Sequence, residues 1–227
     1  MKLILFDIDG TLINTGGAGS ESMRIAFEQI WGIPDGFKNI FMMGKTDSTI
    51  LREVLKNNNL TWDEDNVNTF LKYYFQTLKQ EIKKDRSGKR ICPGIIPLLE
   101  SLYSRTDFSI SLLTGNFKES AFIKLNHFNI DHYFQDGAFC NDTENREEMV
   151  PIIKKRTERK EKITIHNNDI FVIGDTPSDI NSARKNGVHA VGVTTGVHTY
   201  KDLQAHNPDH LFTNLSDTAS VLQILRG

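Results

Sequence analysis

Two carboxylates, a glycine and a hydroxyl directly follow an apolar stretch at the start of the chain, in the order Asp7-Ile8-Asp9-Gly10-Thr11. The apolar stretch predicts a strand buried on both faces. Burying a carboxylate without a partner costs roughly several kcal/mol, so a cation is the natural compensation. Mg²⁺ prefers carboxylate and backbone oxygens. The pattern therefore indicates a metal-assisted site, with a turn and helix cap as the purely structural alternative.

A second candidate motif is Thr114-Gly115-Asn116, which follows another apolar stretch. A hydroxyl and backbone N–H groups at the start of a helix bind an anion well. Thr114 or Asn116 as a simple N-cap is the alternative interpretation.

A further motif again places carboxylates after an apolar stretch, in the order Gly174-Asp175-Thr176-Pro177-Ser178-Asp179. Asp175 could complete a metal site with Asp7. Asp179 lies one helical turn later and could orient a ligand or a water molecule without binding the metal itself.

The elements that must position these residues are βα units. Strands are predicted at 108–113, 170–173 and 188–193, each followed by a helical pattern, with a short edge strand at 211–212. Helices are expected from Pro93-Gly94 to about 104 and over 216–225. The fold class is therefore α/β, a Rossmann-like parallel sheet whose ligands bind at the carboxyl ends of the strands.

A long segment between the first two strands lacks strand-like alternation. Its apolar spacing predicts helices at 20–31, 47–57 and 62–84. We therefore expect a core domain, formed by residues 1–14 and 89–227, and an inserted helical cap domain, residues 15–88. The glycines at 16, 17 and 19 suit a flexible hinge to the cap.

Composition narrows the classes of partner. The chain has 227 residues, 38% of them hydrophobic and 25% charged, with a formal net charge of −2. This balance gives no basic field for nucleic acid or an anionic membrane and favours a small polar substrate. Cys92 and Cys140 are too few for a disulfide scaffold, and the apolar N-terminal run is too short for a signal peptide. We expect a cytoplasmic monomer or homodimer.

Together, the three motifs resemble the phosphatase branch of the haloacid dehalogenase superfamily, in particular its phosphoglycolate-phosphatase-like members. The resemblance spans nearly the whole chain, and a helical cap of this superfamily lies between the first two motifs. Gly44-Lys45-Thr46-Asp47 also looks like the family within the cap. The dehalogenase branch lacks the second aspartate, so Asp9 favours phosphoryl chemistry.

The resemblance implies a role for each motif residue. Asp7 would attack phosphorus and form an aspartyl-phosphate, and Asp9 would be the general acid and base. Mg²⁺ would be held by Asp7, by Asp175 and by the backbone carbonyl of Asp9. The phosphoryl group would be bound by residues at the strand ends, namely Gly10, Thr11, Thr114, Gly115 and Asn116. Lys45 would face the leaving group and would then suit a substrate carboxylate or second anionic group, with a solvated lysine as an alternative at least as good.

The basic residue of the family's third motif is harder to locate. We assign Arg146, at the predicted start of a helix, because a guanidinium clamps phosphate through parallel hydrogen bonds. Lys154 and Lys155 are the competitors, but they begin a basic run that is typical of a solvated helix face.

These residues leave several functions open. A phosphatase acting on phosphoglycolate, a sugar phosphate or a nucleotide is favoured. The alternatives are a phosphomutase of the same superfamily, or a regulatory or binding module that keeps a phospho-aspartate without turnover.

Overall fold

The computed structural model describes residues 1–226, which form a parallel sheet with helices on both faces and a helical cap. The strands are β1 (Lys2–Phe6), β2 (Ile13–Asn14), β3 (Arg90–Ile91), β4 (Phe108–Leu113), β5 (Gly137–Ala138), β6 (Ile170–Gly174), β7 (His189–Val193) and β8 (His210–Phe212). The helices are α1 (Ala18–Trp31), α2 (Asp47–Asn57), α3 (Glu64–Glu81), α4 (Ile95–Tyr103), α5 (Lys118–His127), α6 (Arg146–Glu161), α7 (Pro177–Lys185), α8 (Tyr200–Gln204) and α9 (Thr218–Arg226).

The sheet order is β5-β4-β1-β6-β7-β8, with every neighbouring pair parallel. The chain runs from β1 outward to β4 and β5, and then returns to place β6 on the other side of β1. Such a reversal opens a crevice at the carboxyl end of the central strand. Asp7 follows β1 at that crevice. The α/β parallel fold expected from the sequence is confirmed.

The apolar run of β1 explains its central place. Leu3 and Leu5 pack into the core on one face of the sheet, and Ile4 and Phe6 pack into the core on the other. All four side chains are inaccessible to solvent. Burial of both faces is what a strand covered by helices on either side requires.

The hydrophobic cluster of the cap comes mainly from α1, α2 and α3, and it also includes Phe117 and Cys140 from the part of the chain that carries the sheet. Phe27 packs against Trp31, which contacts Phe70, and Phe70 stacks on Tyr74. α2 begins and ends where the sequence pattern predicts. α3 begins two residues later than predicted, because the Asp63 side chain accepts a hydrogen bond from the backbone N–H of Asn66 and so caps the helix.

The predicted start of α4 at Pro93-Gly94 is slightly too early. α4 begins at Ile95, and Gly94 is its N-cap with a φ of 88°. A side chain at this position would overlap the backbone of Leu215. Glycine is required here both by its backbone conformation and by this close approach.

Among residues 1–226, no helix has the length and apolar character needed to cross a lipid bilayer.

Candidate active site

Three carboxylates converge at the carboxyl end of the sheet. Asp7 follows β1, Asp175 follows β6, and Asp179 lies in the first turn of α7. One oxygen from each lies within 4.8 Å of the others, and all three residues are buried. Burial is the main cause that raises the pKa of Asp7, to about 7, since it outweighs the opposing effect of Arg146. Burial and the neighbouring Asp7 also raise the pKa of Asp175.

Two glycines make room for Asp175. A Cβ atom at Gly10 would lie 2.3 Å from Oδ2 of Asp175, and one at Gly196 would lie 1.8 Å from the same atom. The hydroxyl of Thr11 donates a hydrogen bond of 3.0 Å to Oδ1 of Asp175. Gly10 and Thr11 therefore contribute to the site by positioning this carboxylate.

Asp179 is held by protein donors at both oxygens. Oδ2 accepts hydrogen bonds from the backbone N–H of Thr176, at 3.0 Å, and from its hydroxyl, at 2.6 Å. Oδ1 accepts one from Arg146. With both oxygens engaged, Asp179 is better suited to orienting Arg146 than to binding a metal directly.

Arg146 is the first residue of α6, and its guanidinium is buried between two of the carboxylates. Its Nη2 lies 3.5 Å from Oδ1 of Asp7 and also binds Asp179. Its Nε is buried and has no hydrogen-bond partner among residues 1–226. Lys154 instead donates to Asn167, and Lys155 is exposed. Of the three candidates for the third motif, Arg146 is therefore the one beside Asp7.

The residues present fit a divalent cation. Asp7 and Asp175 are buried carboxylates, and burial raises the pKa of each, so a further positive charge beside them would favour their ionised forms. Arg146 neutralises only part of this charge. A hard cation with oxygen ligands would supply the remainder, as Mg²⁺ does in carboxylate sites. The backbone carbonyl of Asp9, the third expected ligand, belongs to the same loop.

The residues of the Thr114-Gly115-Asn116 motif lie on the neighbouring strand end, as the parallel pairing of β1 and β4 requires. Thr114 and Asn116 are buried. The amide of Asn116 donates to Oδ2 of Asp9, at 2.9 Å, and to the hydroxyl of Thr114, at 3.0 Å. Gly115 faces the cap, where a Cβ atom would lie 2.6 Å from the carbonyl oxygen of Lys45.

Lys124 is a site residue that the sequence analysis missed. Its ammonium lies 2.5 Å from Oδ2 of Asp9 and donates to the side-chain oxygen of Asn116. The side chain is 5% exposed. A signal was available in the sequence, because a lysine stands where α5 otherwise buries Ala121 and Leu125. A buried lysine on an apolar helix face calls for a charged partner.

The cap is joined to the core through Asp47, the first residue of α2. Its Oδ2 accepts hydrogen bonds from the backbone N–H of Phe117, at 3.0 Å, and from the hydroxyl of Ser120, at 3.3 Å. Its own N–H donates to the carbonyl of Gly115, at 2.7 Å. Burial raises the pKa of Asp47 to about 6, against the opposing effect of Lys124. Asp47 is thus a direct link between the cap and the Thr114-Gly115-Asn116 motif.

A cavity of about 390 Å³ lies between the cap and the carboxylates. Asp7, Asp9 and Arg146 line its core side, and Lys45 lines its cap side. The ammonium of Lys45 is paired with the carboxylate of Glu53 on α2. Its charge is therefore already engaged within the cap.

Comparisons with known proteins agree with this architecture. The chain is 25% identical to the phosphoglycolate phosphatase of Aquifex aeolicus, over 98% of this chain and 97% of the relative. It is 23% identical to the pyrophosphatase PpaX of Halalkalibacterium halodurans, over 99% of this chain and 98% of the relative. A hydrolase from Pseudomonas syringae has the same fold, with a TM-score of 0.71 at 16% identity over 98% of both chains.

The model of the haloacid dehalogenase-like hydrolases matches residues 4–193, a stretch that contains the three strand-end motifs and the whole cap. The match confirms the family resemblance that the sequence motifs indicate. The chain belongs to the haloacid dehalogenase-like hydrolase family.

Proposed function

We propose that the protein is a Mg²⁺-dependent phosphatase that hydrolyses a small phosphate monoester through an aspartyl-phosphate at Asp7. One observation carries the proposal: the buried Asp7 carboxylate lies 3.5 Å from Arg146, and one of its oxygens lies within 4.8 Å of oxygens of Asp175 and Asp179. The carboxylate nucleophile and the phosphoryl group are both negatively charged. Nearby cations are therefore needed to reduce the repulsion between them. The names of relatives, among them the phosphoglycolate phosphatase of Aquifex aeolicus, support phosphatase chemistry.

Asp7, Asp175 and the backbone carbonyl of Asp9 would hold the Mg²⁺. When bound, the ion would supply charge neutralisation between the carboxylate and the phosphoryl oxygens. Arg146 would bind the phosphoryl group through its unpartnered Nε, while Asp179 holds the guanidinium in place. Thr114 and the backbone N–H of Gly115 would bind the other phosphoryl oxygens.

In the first step, a carboxylate oxygen of Asp7 forms a bond to phosphorus while the bond from phosphorus to the leaving oxygen breaks. Asp9 gives its proton to that oxygen, which departs as an alcohol. Asp9 then takes a proton from a water molecule, whose oxygen attacks phosphorus. The bond between phosphorus and Asp7 breaks, and phosphate and free Asp7 result. Lys124 and Asn116 would hold the Asp9 carboxylate in position for both transfers.

The test is hydrolysis of a panel of phosphate monoesters by the wild type and by Asp7→Asn, with Mg²⁺ and with a chelator. We expect turnover that requires Mg²⁺ and that falls to a trace in Asp7→Asn. Substantial turnover by Asp7→Asn would contradict the role of Asp7 as nucleophile. A lasting phospho-adduct without turnover would instead identify a regulatory module, and an isomeric phosphate ester as product would identify a phosphomutase.

A further inference from the structure

The cap side of the active-site cavity has an apolar wall. Met23 of α1 and Ile50 of α2 line it and are buried, and Met42 and Met43 line it from the loop before α2. We call these four residues the methionine wall. Thioether side chains are flexible and polarisable, so they pack well against carbon groups of differing shape. The wall therefore offers contact to the carbon skeleton of a substrate rather than to a charged group.

The cations of the cavity already have partners. Within residues 1–226, each basic side chain that lines it contacts a carboxylate: Arg146 with Asp179, Lys124 with Asp9, and Lys45 with Glu53. An anionic leaving group would have to share one of these cations with the carboxylate that the cation already binds. The Arg146–Asp179 pair is buried at both side chains, so separating it would leave a buried charge uncompensated, whereas Asp9 and the Lys45–Glu53 pair are partly exposed.

The remaining charges of the cavity also disfavour a second anion. Asp7, Asp9, Asp47 and Asp175 line the same space. A bound phosphoryl group adds negative charge, which Mg²⁺ and Arg146 would compensate. A carboxylate or second phosphate in the leaving group would meet further repulsion without a free counter-charge.

We propose that the substrate is a phosphate monoester whose leaving group is a small, uncharged alcohol that packs against the methionine wall. This inference rests on the proposed phosphatase function and narrows its substrate class. Small-molecule pockets span roughly 300 to 1,000 Å³. The cavity of about 390 Å³ lies at the lower end of this range, which suits a phosphoryl group with a small alcohol.

The test compares pairs of esters that differ chiefly in the charge of the leaving group. One pair is glycerol 3-phosphate and 3-phosphoglycerate, and the other is 2-hydroxyethyl phosphate and 2-phosphoglycolate. We expect kcat/KM of the full-length protein with Mg²⁺ to be about tenfold higher for the uncharged member of each pair. Equal or faster hydrolysis of the acids would overturn the inference.

Two variants test the stated cause. Glu53→Gln frees the ammonium of Lys45, and Met42→Lys adds a cation to the wall. In each variant, the ratio of kcat/KM for the uncharged ester to that for the acid should fall by about threefold or more, mainly because KM for the acid falls. Phe41→Lys is the matched control, since Phe41 is adjacent to Met42, is 62% exposed and does not line the cavity. If Glu53→Gln and Met42→Lys both keep the wild-type ratio, the inference is wrong.

Hydrolysis of p-nitrophenyl phosphate distinguishes a failure of the substrate-class inference from a failure of the proposed phosphatase function. If this ester is hydrolysed with Mg²⁺ while the matched pairs show no preference, the phosphatase function stands and the substrate class is wrong. If neither this ester nor any member of the pairs is hydrolysed, the proposed function itself fails, and the inference fails with it.

Discussion

Nζ of Lys124 lies 2.5 Å from Oδ2 of Asp9, so a lysine of α5 fixes the second aspartate of the first motif. Gly19 of the cap packs close to this lysine, since a Cβ atom there would lie 3.2 Å from Nζ. Asn116 binds both members of the pair. The proposed acid and base is therefore held by a buried charge and an amide, and its geometry depends on both.

Replacing Lys124 should impair turnover more than substrate binding. In Lys124→Met, Asp9 loses its charged partner but the helix keeps an apolar side chain of similar length. We expect kcat to fall by about 10- to 100-fold, with KM changed by less than about threefold. Lys118→Met, on the exposed face of the same helix, is the control. A rise in KM at unchanged kcat would show that Lys124 binds substrate instead of positioning Asp9.

Replacing Arg146 should affect both stability and activity. Arg146→Met leaves Asp7 and Asp179 without their counter-charge, and breaking such a buried pair costs about 3 to 5 kcal/mol. We expect a loss of this size in urea denaturation, and no measurable turnover. Arg156→Met is the control, because its ion pair with Asp142 is partly exposed and should contribute about 1 kcal/mol or less. An equal loss in the free energy of unfolding in Arg146→Met and Arg156→Met would contradict the stabilising role of the buried Arg146 ion pairs.

The raised pKa of Asp47, about 6, predicts a pH dependence of stability. An unfolded aspartate loses its proton near about pH 4. Between that pH and about pH 6 the folded chain binds a proton that the unfolded chain does not, so the free energy of unfolding falls as pH rises. In Asp47→Asn the amide oxygen can still accept from Phe117. Asparagine has no carboxyl group to bind the proton, so the free energy of unfolding should fall by about 2 kcal/mol less in Asp47→Asn than in the wild type.

Urea denaturation at several pH values between these limits, with a chelator present, measures this difference. Asp63→Asn is the control, because Asp63 caps α3 on the exposed surface of the same cap domain. If the free energy of unfolding of Asp47→Asn falls with pH as steeply as that of the wild type, the buried Asp47 carboxyl is not the cause of the fall.

Mg²⁺ should stabilise the folded chain, and more strongly at higher pH. The pKa of Asp7, about 7, means that metal binding must displace a proton from this carboxyl at acidic pH. Thermal unfolding with and without Mg²⁺, at about pH 5.5 and about pH 8, measures the effect. Asp175→Asn should lose most of the stabilisation at both pH values. An equal Mg²⁺ effect at the two pH values would contradict the linkage to Asp7.

Much of the fold could be predicted because single signals decided it. The apolar run before Asp7 required a doubly covered strand, and apolar spacing predicted the bounds of α2, which the side chain of Thr46 caps in the structure. β5 could not be predicted, since its two residues carry no periodicity and form a strand only by pairing with β4. Local sequence specifies such short elements poorly, because tertiary pairing determines them.

The site divides in the same way. Asp7, Asp9 and Asp175 follow strands, so the parallel topology alone brings them to one edge. Contacts across the interface between cap and core depend on how two separately packed units meet. The bonds from Asp47 to Phe117 and Ser120, which are some 70 residues away in sequence, carry no local signal.

The two chain segments that connect the core and the cap lie side by side. β2 and β3 pair in an antiparallel ladder where the chain leaves and re-enters the core, and Ile13 is opposite Ile91. Gly16, with a φ of 62°, lies against Arg86, and a Cβ atom at Gly16 would be 2.6 Å from that of Arg86. A change in one segment must therefore be matched in the other. Both connections between core and cap therefore pass through this one ladder, so any hinge motion of the cap would involve both strands.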